Sequence, residues 1–160
     1  MDFLTIIIAK YLYIVIAAIT LVLGVYQPKK KRLHFFILLA LAGGIAILLT
    51  KLAGMYLYDP RPFAFEHFTP LIPHTPDNGF PSDHTVFSFI FALGAYRLNR
   101  NAGGWLALLG LLVGLARVHA GLHSPIDIIG GIIIAAFSFL LAARCIMPLI
   151  EKKFFHLGAQ

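Results

Sequence analysis

Three short clusters in this 160-residue chain hold residue types that can do chemistry together. The first is Lys51 followed by Tyr58-Asp59-Pro60-Arg61-Pro62, and the second is Phe80-Pro81-Ser82-Asp83-His84. The third runs from Arg117 through His119, His123 and Ser124 to Asp127. Two guanidinium groups, Arg61 and Arg117, are fixed cationic forks suited to the non-bridging oxygens of a phosphate. Ser82 and Ser124 each stand where a helix can begin, and a helix N-terminus offers free N–H groups and a positive dipole end to an anion. A histidine can serve as nucleophile when a carboxylate orients its ring and stabilises the cation that forms. His123 and Asp127, four apart across a helix start, can make that pair. A second histidine, His84, can protonate a leaving oxygen. The chemistry these groups suit is phosphoryl transfer.

Each feature also has a plainer reading. Ser82 after Pro81 can be a simple N-cap. Ser124-Pro125-Ile126-Asp127 has the order of N-cap, N1 proline and N3 acid. Arg61 can snorkel to lipid headgroups. Caps and snorkels do not account for two arginines, two histidines and an aspartate gathered on one face of a short chain.

The elements that must position these groups follow from composition. The set AVILMFWYC supplies 59% of the residues, and only 12% are charged; the mean hydropathy is +0.85. A soluble domain sits near 45–50% apolar and about 25% charged, and so small a body has too much surface to hide the excess. Disorder is excluded on the same numbers. The expected fold is an all-α, polytopic transmembrane bundle forming a single domain over residues 1–160. Five apolar stretches stand out, at about residues 3–25, 34–57, 83–97, 104–118 and 127–149. The first, second and fifth exceed the roughly 20 residues that cross about 30 Å of hydrocarbon. The third and fourth are nearer 15, as expected of spans whose polar ends carry a site. The N-terminal stretch lacks the basic start and small-residue cleavage pattern of a signal peptide. Cys145 lies in an apolar run and is expected to be a buried small hydrophobe, outside any disulfide or cysteine metal site.

Charge sets the orientation. The net charge of +6 and pI near 9.7 are not spread as a nucleic-acid footprint. Nine of the thirteen basic residues (Lys29, Lys30, Lys31, Arg32, Arg97, Arg100, Arg144, Lys152 and Lys153) fall on one side of the five-span arrangement. Arg61 and Arg117 fall on the other, with six of the seven acids, while Lys10 and Lys51 lie within spans. By the positive-inside rule the C-terminus is cytoplasmic, and the N-terminus and the three clusters are extracytoplasmic. The connection at 58–82 is long and carries six prolines, the mark of a functional or disordered loop. Its Phe63, Phe65, Phe68, Leu71 and Ile72 predict a segment at the membrane interface.

The clusters resemble the three signatures of the PAP2 family of phosphatases, type 2 phosphatidic acid phosphatases. The resemblance covers about residues 50–131, as Lys51…Arg61-Pro62, Pro81-Ser82-Asp83-His84 and Arg117-x5-His123-x3-Asp127. It implies that His123 is the nucleophile, Asp127 its orienter and His84 the acid for the leaving group. It also implies that Arg61, Ser82, Asp83, Arg117 and Lys51 bind the phosphate, and that no metal or other cofactor is needed. The chain departs from the family at three points. Gly54 occupies the usual lysine position, seven before the arginine, with Lys51 one turn earlier; Asp83 replaces a glycine; Ala116 replaces a serine. A carboxylate beside a phosphate is unfavourable unless paired or turned away, so Asp83 is expected to face a loop backbone or Arg61. The Pro-Ser-Asp-His form, with His74-Thr75-Pro76-Asp77-Asn78-Gly79-Phe80 before it, is similar to the undecaprenyl-diphosphatase branch. That implies a lipid diphosphate or monophosphate as substrate and membrane lipids as surroundings, with no nucleic acid and no obligate protein partner.

Other substrates remain open within the family: phosphatidylglycerol phosphate, phosphatidic acid and lipid A 1-phosphate. Two other classes are weaker. His119, His123 and Asp127 can be drawn as metal ligands on one helical face, but Pro125 and the expected break at Gly121-Leu122 spoil that face. A channel or transporter needs ionisable groups along a pathway, and here they gather at one end.

Overall fold

The computed structural model describes the backbone of residues 2–155 and side chains through residue 152. The described chain is helical, with no named strand. Its elements are α1 (Asp2–Val25), α2 (Lys29–Tyr56), the single turn α3 (Pro62–Phe65), α4 (Asp83–Leu98), α5 (Arg100–His119) and α6 (Pro125–Leu141). A π-turn over Ala142–Ile146 leads into α7 (Met147–Phe155). Apolar residues surround most of these helices, so the inward stripe is chosen by small and shape-matched side chains. On α1 that stripe is Ala9, Ile16, Thr20 and Gly24.

Four stretches are long and apolar enough to cross a membrane: Asp2–Val25, Lys29–Tyr56, Arg100–His119 and Pro125–Lys152. The chain is a multi-pass membrane protein. The expected third span, α4, has 16 residues, which is about 24 Å at 1.5 Å per residue and short of the roughly 30 Å of hydrocarbon. It survives in the bundle because it packs against α1, α2, α5 and α6. Neighbouring helices, rather than lipid, cover Val86, Ile90, Ala92 and Ala95.

The sequence pattern left basic connecting loops at 26–33 and 97–103, around the ends of the apolar stretches, and both are shorter than that. The basic segment Lys29–Arg32 belongs to α2 rather than to a loop at 26–33, because lysine and arginine are good helix formers and their charges tolerate the interface. The segment expected at 97–103 reduces to Asn99, which caps both flanking helices and accepts the Ala102 N–H at 3.0 Å. That one-residue reversal brings α4 and α5 into close contact. A Cβ at Gly103 would collide with the Tyr96 backbone.

The 58–82 connection is half docked instead of lying free. Ile72 is buried with Ala116, Ala120 and Leu122, and Phe63 and Leu71 pack on the same cluster. Phe63 N–H and Leu71 N–H donate to the carbonyls of Gly121 (3.3 Å) and Ala120 (3.1 Å). The expected break at Gly121 is present with φ +77°, and the Phe68 ring occupies the space a Cβ there would need. Phe65 and Phe68 stay exposed. Cys145, expected to be buried, is exposed. The π-turn shifts the helical phase, so Ala142 and Met147 keep the inward stripe while Arg144 and Cys145 point outward. Lys153, counted above among the basic residues, has its side chain outside the described set.

The chain runs up and down, so the start of α1, the end of α2, the start of α4, the end of α5 and the start of α6 share one end. The short reversals at 26–28 and Asn99, with the basic residues around them, lie at the other.

Gly103→Val should lower the thermal midpoint sharply, because the obstacle is backbone and overpacking alone costs about 1–3 kcal/mol. Gly43 in α2 has open space where a Cβ would stand, with nothing within 4 Å. Gly43→Ala should therefore leave the midpoint unchanged or raise it, since alanine gains roughly 0.5–1 kcal/mol of helix propensity. Size-exclusion of heated, detergent-solubilised variants reads both.

Candidate active site

The site forms where three polar ends meet. α5 delivers Arg117 in its last turn, the tight turn after Gly121 delivers His123, and α6 delivers Asp127 in its first turn. Asp127 accepts the Ser124 N–H through Oδ2 at 2.8 Å, as an N3 acid does, and the same oxygen lies 3.1 Å from His123 Nδ1. The capping reading and the catalytic reading of this carboxylate are therefore one arrangement: the cap fixes the oxygen that holds the ring.

The other ring nitrogen faces two cations. Arg61 Nη1 and Arg117 Nη2 each lie 3.3 Å from His123 Nε2. A guanidinium can only donate, so Nε2 carries the lone pair, and Nδ1 carries the proton it gives to Asp127. The geometry assigns the tautomer. Arg61, Arg117, His123 and Asp127 are all buried, at 7%, 4%, 3% and 0% exposure, which makes every charge contact here stronger than at a surface. Burial pushes the His123 imidazole below its ordinary value; the Asp127 hydrogen bond opposes this, and the charges of Arg117 and Arg61 reinforce it. The ring is held neutral with its lone pair toward the cavity.

Arg61 is itself held. Its Nε donates to Asp77 Oδ1 at 2.5 Å, and its Nη1 donates to the Leu122 carbonyl at 2.9 Å. Partial burial disfavours the Asp77 carboxylate, but the hydrogen bond and charge of Arg61 outweigh it and hold the carboxyl below its usual range. Asp77, not Asp83, is thus the acid partner of Arg61. Arg117 Nε is buried with no acceptor among the described residues, a donor that a phosphate oxygen can satisfy.

A cavity of about 320 Å³ joins these groups, lined by Arg61, Arg117, His123, His84, Asp83, His74 and Gly54 among others. His84 is steadied by Tyr13 of α1, whose ring meets it edge-on with centroids 4.6 Å apart. Ser82 is the N-cap of α4, yet it is fully buried and does not line the cavity. Its hydroxyl accepts from Thr85 Oγ1 at 3.1 Å, and its N–H donates to the Asp127 carbonyl at 3.2 Å. Lys51 is exposed and lines a neighbouring groove of about 330 Å³ with Ile47, Val86 and Phe87. Gly54, at the family lysine position, lines the cavity instead. Asp83 and Thr50 line both spaces. His119 is exposed and away from the cavity, and among the described residues no cluster of three His, Cys, Asp or Glu side chains is placed to hold a metal ion.

The family model described as the PAP2 superfamily matches residues 33–151. The chain belongs to the PAP2 superfamily. It is a phosphoric-ester hydrolase by that membership. Over 155 residues, 94% of this chain and 79% of the relative, it is 30% identical to the undecaprenyl-diphosphatase BcrC of Bacillus subtilis strain 168. It is 30% identical over 133 residues, 82% of this chain and 65% of the relative, to the bacitracin transport permease protein BcrC of Bacillus licheniformis. It is 31% identical over 140 residues, 84% of this chain and 64% of the relative, to an undecaprenyl-diphosphatase of Sulfolobus acidocaldarius. No solved structure matches the chain.

Several contacts that build this PAP2 site were not assigned by sequence reasoning. Tyr13 carried one available signal, its place on the inward stripe of α1 beside Ala9, Ile16 and Thr20. Asp77 and Asn78 stood in a turn-like Pro-Asp-Asn-Gly run that gave no hint of their partners. Asn78 closes the loop over the cavity: its Nδ2 donates to the carbonyls of Gly54 and Leu57 (2.8 Å each), and its Oδ1 accepts from Asp59 N–H and Phe80 N–H (3.0 Å each). Asp59 in turn accepts the Ser124 hydroxyl at 2.6 Å.

Asn78→Ala should therefore cost about 2–6 kcal/mol, from four hydrogen bonds at roughly 0.5–1.5 kcal/mol each. Asn78→Asp should also destabilise, since it keeps the acceptor and loses both donors. Thermal unfolding in nanodiscs reads both variants.

Proposed function

We propose that this PAP2 protein hydrolyses undecaprenyl diphosphate to undecaprenyl phosphate and inorganic phosphate through a phosphohistidine, with the site on the extracytoplasmic side of the cell membrane. The observation that carries the reading is the pair of arginines converging on His123 Nε2 while Asp127 holds Nδ1. When the terminal phosphate enters, its non-bridging oxygens take the two guanidinium groups, and the lone pair of Nε2 is released toward phosphorus. The nitrogen–phosphorus bond forms as the phosphorus–oxygen bond to the lipid monophosphate breaks, and His84 gives its proton to that oxygen. The Asp127 carboxylate stabilises the cationic ring. Water then attacks the phosphohistidine, His84 takes the proton, and phosphate leaves with His123 restored.

The lipid part of the reading rests on two supports. Two of the relatives carry the name undecaprenyl-diphosphatase, and the apolar groove along Ile47, Val86 and Phe87 adjoins the phosphate cavity at Thr50 and Asp83. That groove gives a hydrocarbon tail a path into the bilayer, with Lys51 and Asp83 at its rim rather than on the transferred phosphate. The relative named a permease makes transport the second reading; bacitracin flux into vesicles without lipid-diphosphate hydrolysis is the result that would favour it. The assignment of side follows from the basic end of the bundle lying opposite the site.

Hydrolysis of a panel of lipid phosphates by the purified protein is the direct test, with undecaprenyl diphosphate expected to give the highest kcat/KM. His123→Ala should form no acid-labile phosphoenzyme. His84→Ala should slow its formation by about 10²–10⁴-fold, the range of general acid catalysis. Because His123 is held below its ordinary value of 6.5, the acid limb of kcat/KM should fall below pH 6.5. Asp127→Asn removes interactions that raise that value, so it should move the limb to still lower pH while reducing kcat. A phosphoenzyme in His123→Ala would refute the assignment.

The membrane side is tested separately. In a Cys145→Ser background, a cysteine at exposed Glu66 should react with an impermeant maleimide on intact cells, and one at exposed Lys29 should react only after lysis. The reverse pattern overturns the orientation.

A further inference from the structure

The end of the bundle opposite the site holds a second charged cavity, of about 410 Å³, that phosphatase chemistry does not use. Its size lies within the range of small-molecule pockets. Lys30 and Lys31 of α2 and Arg97 of α4 line it, and its apolar wall is built from Phe35, Leu38 and Leu98. Phe35 and Leu38 are each 3% exposed, so this wall is part of the packed core. None of the three cations has a carboxylate partner among the described residues. The acid that faces this region, Glu151 of α7, is taken by His34, whose Nδ1 lies 2.8 Å from it. Gln27, also at the rim, spends its amide on the Leu23 carbonyl. Three permanent positive charges therefore stand over an apolar wall with one already engaged acid beside them.

The local sequence makes that arrangement costly by itself. α2 opens on Lys29-Lys30-Lys31-Arg32 with no acid in its first turn and no side-chain cap at Pro28. Cations at a helix N-terminus oppose the helix dipole. An anion among Lys30, Lys31 and Arg97 offsets that cost.

We propose that this cavity is a binding site for the anionic headgroup of a phospholipid in the leaflet at that end, with the start of one acyl chain passing over Leu98 above the packed Phe35 and Leu38. The mixed lining distinguishes the occupant. A free phosphate ion gains from the cations but loses hydration against an apolar wall, whereas a phospholipid satisfies both surfaces. The site is discrete: Lys29 and Arg100 stand at the same end and do not line it.

That difference supplies the test. Wild type and variants are placed in phosphatidylcholine nanodiscs with a minor fraction of phosphatidylglycerol, and the phosphatidylglycerol retained on the released protein is measured by native mass spectrometry. Lys31→Gln/Arg97→Gln should reduce retention at least tenfold. Lys29→Gln/Arg100→Gln, which removes the same charge, should stay within about twofold of wild type. Leu98→Trp, which keeps every charge and fills the wall, should also lose retention, so a folding defect in the first double variant leaves the proposal testable. Equal loss in both double variants assigns the effect to diffuse surface attraction and overturns the site. Displacement of the lipid by millimolar inorganic phosphate, with equal thermal protection, overturns the lipid in favour of a free anion.

Discussion

The structure depends on holding one imidazole by both of its nitrogens inside an apolar bundle. His123 Nδ1 is tied to Asp127, and Nε2 faces Arg61 and Arg117. Two cations and a carboxylate, each almost fully buried, are tolerable in so apolar a body because His123 lies between them and Asp77 pairs with Arg61. The same arrangement fixes the ring neutral and fixes its tautomer. Function and stability therefore draw on the same few contacts, and the remainder of the fold can be understood as what keeps those contacts from being flooded or pulled apart.

Three supports meet that need from different parts of the chain. The N-terminus of α6 supplies Asp127 through its cap, so a local helix-start motif becomes the orienter of a ring. The reversal at Gly121 lets the chain leave α5 and return to α6 within five residues, from Ala120 to Ser124. The loop between α2 and α4 crosses the top and is sewn down by Asn78 on the end of α2, by Asp59 on Ser124 and by Arg61 on the Leu122 carbonyl. This explains why a long proline-rich segment is ordered. Its prolines limit the conformations lost on docking, and its side chains bond to helix ends that would otherwise present unpaired backbone groups.

The short helix α4 shows how packing substitutes for length. At about 24 Å it could not shield its ends from lipid alone, yet it stands among four neighbours and carries His84 at its polar start. Gly94 allows α1 and α2 to approach it closely, Gly103 and Gly110 allow α5, and Gly131 allows α6, which is how apolar helices associate where the hydrophobic effect offers little. Tyr13 reaches His84 across that approach. The first helix, polar in almost none of its length, thereby takes part in the site.

The amino-acid sequence by itself determined that the chain is helical and embedded in a membrane, since 59% apolar residues leave no other solvent for so short a body. It also determined which ionisable residues gather, because intramembrane charge is too costly to be scattered: Arg61, Arg117, His84, His123 and Asp127 were legible from type and spacing. The local cap at Ser124 and the break at Gly121 were legible too, as both are set within a few residues. Partners across long stretches of chain were decided only by tertiary structure. Nothing local distinguishes Asp77 from Asp83 as the acid for Arg61, puts Gly54 rather than Lys51 at the cavity, or turns Cys145 outward through a π-turn. Those choices belong to how the helices meet, and in a chain apolar on nearly every face, hydrophobic periodicity carries little information about which face meets which.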